Sequence, residues 1–116
     1  MVPYPGALAP LSEDDVDRLF HALADATRRD ILRRTLADES SVTGLAHDYD
    51  MSFAAVRKHV GVLEQAGLVS KLRRGREQIV RGEPTGVQRV NDLMDAYEVI
   101  WRHRLHALDS MLDEQR

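Results

Sequence analysis

Apolar residues recur at intervals of three and four along most of the chain, and short polar stretches interrupt them at regular distances. Ser12, followed by Glu13, Asp14 and Asp15, predicts a helix start with acidic groups at the positive end of the helix dipole. Val16, Leu19, Phe20 and Leu23 then fall on one face, and Asp25 is a second cap. Ile31, Leu32 and Leu36 give the next helix its apolar side. The polar run Asp38-Glu39-Ser40-Ser41 separates it from a short third helix carrying Val42, Leu45 and Ala46. A tight polar turn leads to a fourth helix, about Phe53 to Gln65, with Ser52 as N-cap and Val56, Val60 and Leu63 inside. Gly67 suits the left-handed residue that commonly ends a helix.

Two short strand-like runs follow, Leu68 to Leu72 and Gln78 to Val80, around Arg73-Arg74-Gly75-Arg76. Gly75 can take the positive φ that a tight hairpin needs. Pro84 and Gly86 punctuate the chain before a long last helix, roughly Val87 to Glu114. Its stripe is Val87, Val90, Met94, Tyr97, Trp101, Leu105, Leu108 and Leu112, widened by Leu93, Ile100 and Met111. So long a stripe exceeds what a small core can cover, so pairing with a second copy of the chain is expected.

These elements give a mainly α fold with a small β-hairpin: about five helices, with a two-stranded basic-tipped wing behind a helix-turn-helix pair. The expected organisation is a flexible arm at 1–11, a core at 12–84 and a dimerisation helix at 85–116, within one structural domain. No apolar run approaches the roughly 20 residues needed to span a bilayer. The amino terminus lacks the basic and apolar stretches of a secretory signal, so the cytoplasm is the expected compartment. With no cysteine, disulfides, thiolate metal sites and cysteine nucleophiles are excluded together.

Charge changes the picture through its distribution. The net charge is −3, an unpromising total for a nucleic-acid partner. Residues 52–81, however, hold 7 Lys/Arg against 2 Asp/Glu, whereas residues 1–51 hold 5 against 10 and residues 82–116 hold 4 against 7. The basic block coincides with the second helix of the pair and the hairpin, where it can attract phosphate locally.

The second helix of such a pair reads base edges in a major groove. The groups expected to meet double-stranded DNA are Ser52, Phe53, Ala54, Ala55, Arg57, Lys58 and His59. Small Ala54 and Ala55 allow close approach, Arg57 suits bidentate contact with guanine, and Lys58 and His59 suit bases or phosphates. Phe53 either shields the turn beside Tyr49 or faces thymine methyls. Arg73, Arg74 and Arg76 suit phosphate or the minor groove, and Thr43 the backbone. No grouping of nucleophile, base and orienting partner suggests an enzyme, and no phosphate-binding glycine loop is present. Alternatives are a sensor gated by an unidentified small-molecule effector near Met94, Tyr97 and Trp101, and an interaction module that binds no DNA.

On LFHALADATRRDIL, LAHDYDMSFAAVRKHVGVLEQAGLV and RRGREQIVRGEPTG, the chain resembles the ArsR/SmtB family of bacterial winged helix-turn-helix repressors over about residues 15–112. The resemblance implies a homodimer joined through first and last helices, an imperfect palindromic operator, and repression commonly relieved by an inducer. It places DNA contacts at Thr43, Ser52, Ala54, Ala55, Arg57, Lys58, His59, Arg73, Arg74 and Arg76. It also gives Leu19, Leu23, Val90, Met94, Tyr97, Trp101, Leu105, Leu108 and Leu112 a dimer role. The family's metal sensors carry ligands that are missing here: the third helix lacks cysteine, and Met94 lies two positions after Asp92, where a histidine would be needed. No metal or other cofactor is therefore expected. His103 and His106, three apart near Asp109 and Glu114, are the residues a regulatory metal such as zinc or nickel would use.

Overall fold

The computed structural model describes residues 11–114. Of the expected arm, residues 1–10 lie outside the described residues, and Leu11 packs against the core. Helix α1 (Glu13–Leu23) opens on a reciprocal cap: Ser12 Oγ accepts from the Asp15 amide at 3.1 Å, and the Ser12 amide donates to Asp15 Oδ2 at 3.3 Å. Helix α2 (Ala26–Ala37) is capped by Asp25, which accepts from the Arg28 amide at 3.0 Å. Two-residue strand β1 (Ser40–Ser41) leads into α3 (Val42–Tyr49), where Ser41 Oγ accepts from the Gly44 amide.

Helix α4 (Phe53–Gln65) starts on the Ser52 cap and closes in a Schellman motif. The Gly67 amide donates to Glu64 O at 2.9 Å and the Leu68 amide to Leu63 O at 3.0 Å, with Gly67 at φ 75°. Strands β2 (Val69–Arg74) and β3 (Glu77–Gly82) form the hairpin, in which Arg74 pairs with Glu77 across Gly75 and Arg76. The positive φ of 63° at Gly75 suits a turn with glycine first, whose twist matches the strands.

Where two strands were expected, the sheet has three, in the order β1-β3-β2. Ser40 lies opposite Val80 and Ser41 opposite Ile79. The extra strand is polar and only two residues long; it is held by backbone pairing and so leaves no hydrophobic alternation to read. Helix α5 (Pro84–Glu114) begins three residues before the expected Val87. Pro84 occupies its first position, where the missing amide costs nothing and the ring presets φ. The amide of Glu83 is taken by Leu68 O at 2.8 Å, which fixes the base of α5 against the end of α4.

The core joins Leu19 and Ala22 of α1, Ile31 and Leu32 of α2, Val42 and Leu45 of α3, and Val56, Val60 and Leu63 of α4 to Leu68, Val69 and Val80. Phe20 and Leu36, expected on apolar faces, are exposed instead, although the Leu36 side chain still lies against Gly82 of β3. Leu19, expected at a dimer surface, is 2% exposed and belongs to the core of its own chain. Leu23 and Val90 are partly buried against that core, while Met94, Tyr97, Trp101, Leu105, Leu108 and Leu112 remain exposed along α5. No helix among the described residues is long and apolar enough to cross a membrane.

Candidate nucleic-acid interface

Polar contacts tie the end of α3 to α2. At the end of α3 the Tyr49 hydroxyl donates to Asp30 of α2, Arg34 Nη2 donates to Asp48 at 2.6 Å, and the Arg34 guanidinium lies 5.2 Å from the Tyr49 ring centre. The Tyr49 hydroxyl and the Arg33 guanidinium hold the Asp30 carboxyl below its usual range; burial, reinforced by Asp30, pushes Tyr49 up. The turn passes through Asp50 in the left-handed region at φ 53°, which an Asx side chain tolerates, and releases α4 on Ser52.

From that start the side chains divide. Val56, Val60 and Leu63 are buried, whereas Ser52, Phe53, Ala54, Arg57 and Lys58 are exposed and Ala55 is half-buried. The Arg57 guanidinium sits 5.9 Å from the centre of the half-exposed Phe53 ring, close enough for the ring to steady it. Gly61, one turn beyond Arg57, has nothing within 4 Å of where a Cβ would stand, which leaves a gap on the outer face through which the α4 backbone can be approached. Sequence reasoning passed over it because a glycine inside a helix pattern reads as a blemish.

His59, expected to point outward with its neighbours, does not. Its Nδ1 accepts from Arg28 Nη1 at 3.4 Å and lies 3.9 Å from Asp25 Oδ2, so the ring packs against the start of α2. Arg28 also donates to the α1 carbonyls of Ala22 at 2.9 Å and His21 at 2.7 Å, and Arg29 to Leu23 O at 2.6 Å. Two arginines thereby satisfy the orphan carbonyls at the end of α1, and one of them also meets α4.

The wing stands beside α4, and Lys71 Nζ on β2 reaches Glu64 of α4 at 3.2 Å. Arg73 and Arg76 are exposed and form no ion pair among the described residues. Arg74 is exposed but paired with Glu39, which also accepts from Arg81 Nη2 at 3.0 Å. These two guanidinium groups hold the Glu39 carboxyl below its usual range, and Glu39 raises Arg74. Thr43 is exposed in the first turn of α3. His103 and His106 are exposed on α5, and no three His, Cys, Asp or Glu gather as a metal would require among the described residues. Met94, Tyr97 and Trp101 lie on the open surface of α5; a crevice of about 100 Å³ lies elsewhere, between Leu11, Arg18, Gln65 and Arg89.

No protein-family model matches the chain. It is 32% identical over 99 residues to the HTH-type transcriptional regulator Rv2034 of Mycobacterium tuberculosis, across 85% of this chain and 90% of that protein. Among solved structures it is similar to an ArsR-like transcriptional regulator from Rhodococcus sp. RHA1, with 27% identity and a TM-score of 0.78 over 87% of this chain and 93% of that one. It is also similar to the homodimeric winged helix-turn-helix DNA-binding domain of Mb0332 from Mycobacterium bovis, at 27% identity and a TM-score of 0.59 over 78% and 92%. With its helix pair, its basic wing and relatedness along most of its length, the chain belongs to the ArsR family of winged helix-turn-helix transcriptional regulators, which are not enzymes.

Proposed function

We propose that the chain is a homodimeric transcriptional repressor that places α4 of each copy in the major groove of an imperfect palindrome. The observation carrying this reading is the coincidence of an exposed basic face on α4 and the wing with an uncovered apolar stripe on α5. Arg57 reads guanine, steadied by Phe53; Ala54 and Ala55 pack near thymine methyls, and Lys58 serves bases or phosphates. Ser52 and Thr43 hold phosphate, while Arg73, Arg74 and Arg76 follow the backbone or minor groove beside the wing. His59 holds α4 onto α2 instead of reading a base, since its ring nitrogen is engaged by Arg28.

The stripe on α5 supports the second copy. From Met94 through Tyr97, Trp101, Leu105 and Leu108 to Leu112, five steps cover 18 residues, an average of 3.6. Such a stripe keeps to one face of an α-helix, so a second copy can cover it along its length. Mb0332, whose fold is shared, is homodimeric. Two reading helices in one dimer would face successive major grooves, about 34–36 Å apart. Such a protein works where the chromosome is, in the bacterial cytoplasm.

Selection of bound fragments from the source genome, with non-specific DNA as competitor, tests the reading. A palindromic motif recovered from promoter DNA, and lower transcription from that promoter when the chain is present, is the expected result. Fragments without a common motif would overturn it.

A further inference from the structure

We propose that Glu39 is an internal counter-charge that holds the wing's Arg74 back from the DNA backbone, so that a carboxylate and a phosphate compete for one guanidinium. The inference rests on the DNA-binding reading above and assigns a role to a residue outside the expected contact set.

Glu39 immediately precedes β1, and the pairing of Ser40 with Val80 sets it beside Arg81, at the end of the hairpin far from the turn. Arg81 Nη2 donates to Glu39 Oε2 at 3.0 Å, and Arg74, the last residue of β2 before the turn, reaches the other oxygen, Oε1. One carboxylate thus spends one oxygen on each guanidinium, and Arg74 is drawn back along the hairpin from its tip. The enclosure is unequal: the Glu39 side chain is 29% exposed, against 56% for Arg74 and 51% for Arg81. The cations therefore stay open to an incoming anion, while the carboxylate sits behind them.

Glu39 is not needed to place the wing. The β1-β3-β2 ladder and the buried Ile79 and Val80 already do that. Guanidinium groups bind carboxylate and phosphate with the same fork of donors, so a phosphate can take over Arg74 directly. Each exchange costs the internal pair, and the wing adds less to affinity than its three arginines would suggest.

The test is Glu39→Gln in the full chain, titrated over a range of salt against a random-sequence duplex and against a genomic fragment recovered by selection. Expected is up to about fivefold tighter binding of both duplexes at low salt, the scale of one exposed ion pair. The slope of log affinity against log salt should steepen by about one, as one further phosphate contact requires. In an Arg74→Ala background the gain should shrink. Affinity unchanged or weakened by Glu39→Gln, or a gain of full size without Arg74, would overturn the proposal. Thermal unfolding checks that the variant is folded, and Glu39→Thr, suited to extended backbone, repeats the measurement with another neutral side chain. A wild-type chain that binds neither duplex would instead sink the DNA-binding reading itself.

Discussion

Arg57, His59 and Gly61 stand close together on one helix yet do three different things. Arg57 is free of ion pairs among the described residues and braced by Phe53, the state of a group waiting for a partner. Replacing it with alanine should cost about 1–3 kcal/mol of binding and relax preference at one base position. Measured across operator variants, a uniform loss would make it a phosphate contact instead. At Gly61 a larger side chain meets nothing in the protein, and leaving glycine favours the helix by about 1 kcal/mol. Gly61→Leu should therefore keep or raise the thermal midpoint while weakening DNA binding more than tenfold; unchanged affinity would remove this gap from the interface. The exposure of Arg57 and Lys58 was legible from helical phase alone. His59 was not, because its phase lies at the margin of the outer face and Arg28, 31 residues away, decides which way the ring turns.

Among the elements, α4 was the most legible, since caps and stops are local chemistry, and the stripe of α5 followed from its periodicity. Ser52→Ala removes the acceptor for the Ala55 amide and should cost about 0.5–2 kcal/mol in thermal or denaturant unfolding. The joint between α4 and α5 was not legible. A Cβ on Gly86 would stand 2.3 Å from Gly67 O, a backbone atom that cannot swing aside. Gly86→Ala should destabilise by about 1–3 kcal/mol and tilt α5 from its base, read as a lower thermal midpoint. At the start of α2 the Arg28 amide holds the Asp25 carboxyl below its usual range, as Tyr49 and Arg33 do for Asp30. Groups depressed in this way contribute fully above the ordinary carboxylate range and lose their contribution as pH falls through the depressed values. Stability should therefore hold through neutral pH and fall below about pH 4, and Asp30→Asn should blunt that fall.

For the whole molecule, α5 sets the shape. The extents are 70 × 29 × 25 Å and the radius of gyration is 19.1 Å. A compact chain of this size would have a radius of about 13 Å. Every residue from Tyr97 to Glu114 is exposed, so the helix projects with its stripe uncovered. A charge in the middle of that stripe, Trp101→Glu, should yield a folded monomer by analytical ultracentrifugation. Its palindrome affinity should fall at least about 100-fold, because linkage of the two half-sites is lost. A dimer that survives this change would place the subunit interface elsewhere.

By itself the sequence determined what depends on neighbours along the chain. The helix starts at Ser12, Asp25 and Ser52, the stop at Gly67, the glycine turn of the hairpin and the apolar phase of α4 and α5 all follow from hydrogen bonds and periodicities a few residues long. Tertiary structure alone decided what depends on distant partners. It added Ser40–Ser41 to the sheet and moved Leu19 from a supposed interface into the core. It also turned His59 toward Arg28 and tied Arg74 to Glu39. Each outcome was set by which backbone, side chain or charge arrived from elsewhere in the chain, and a local pattern carries no record of that arrival.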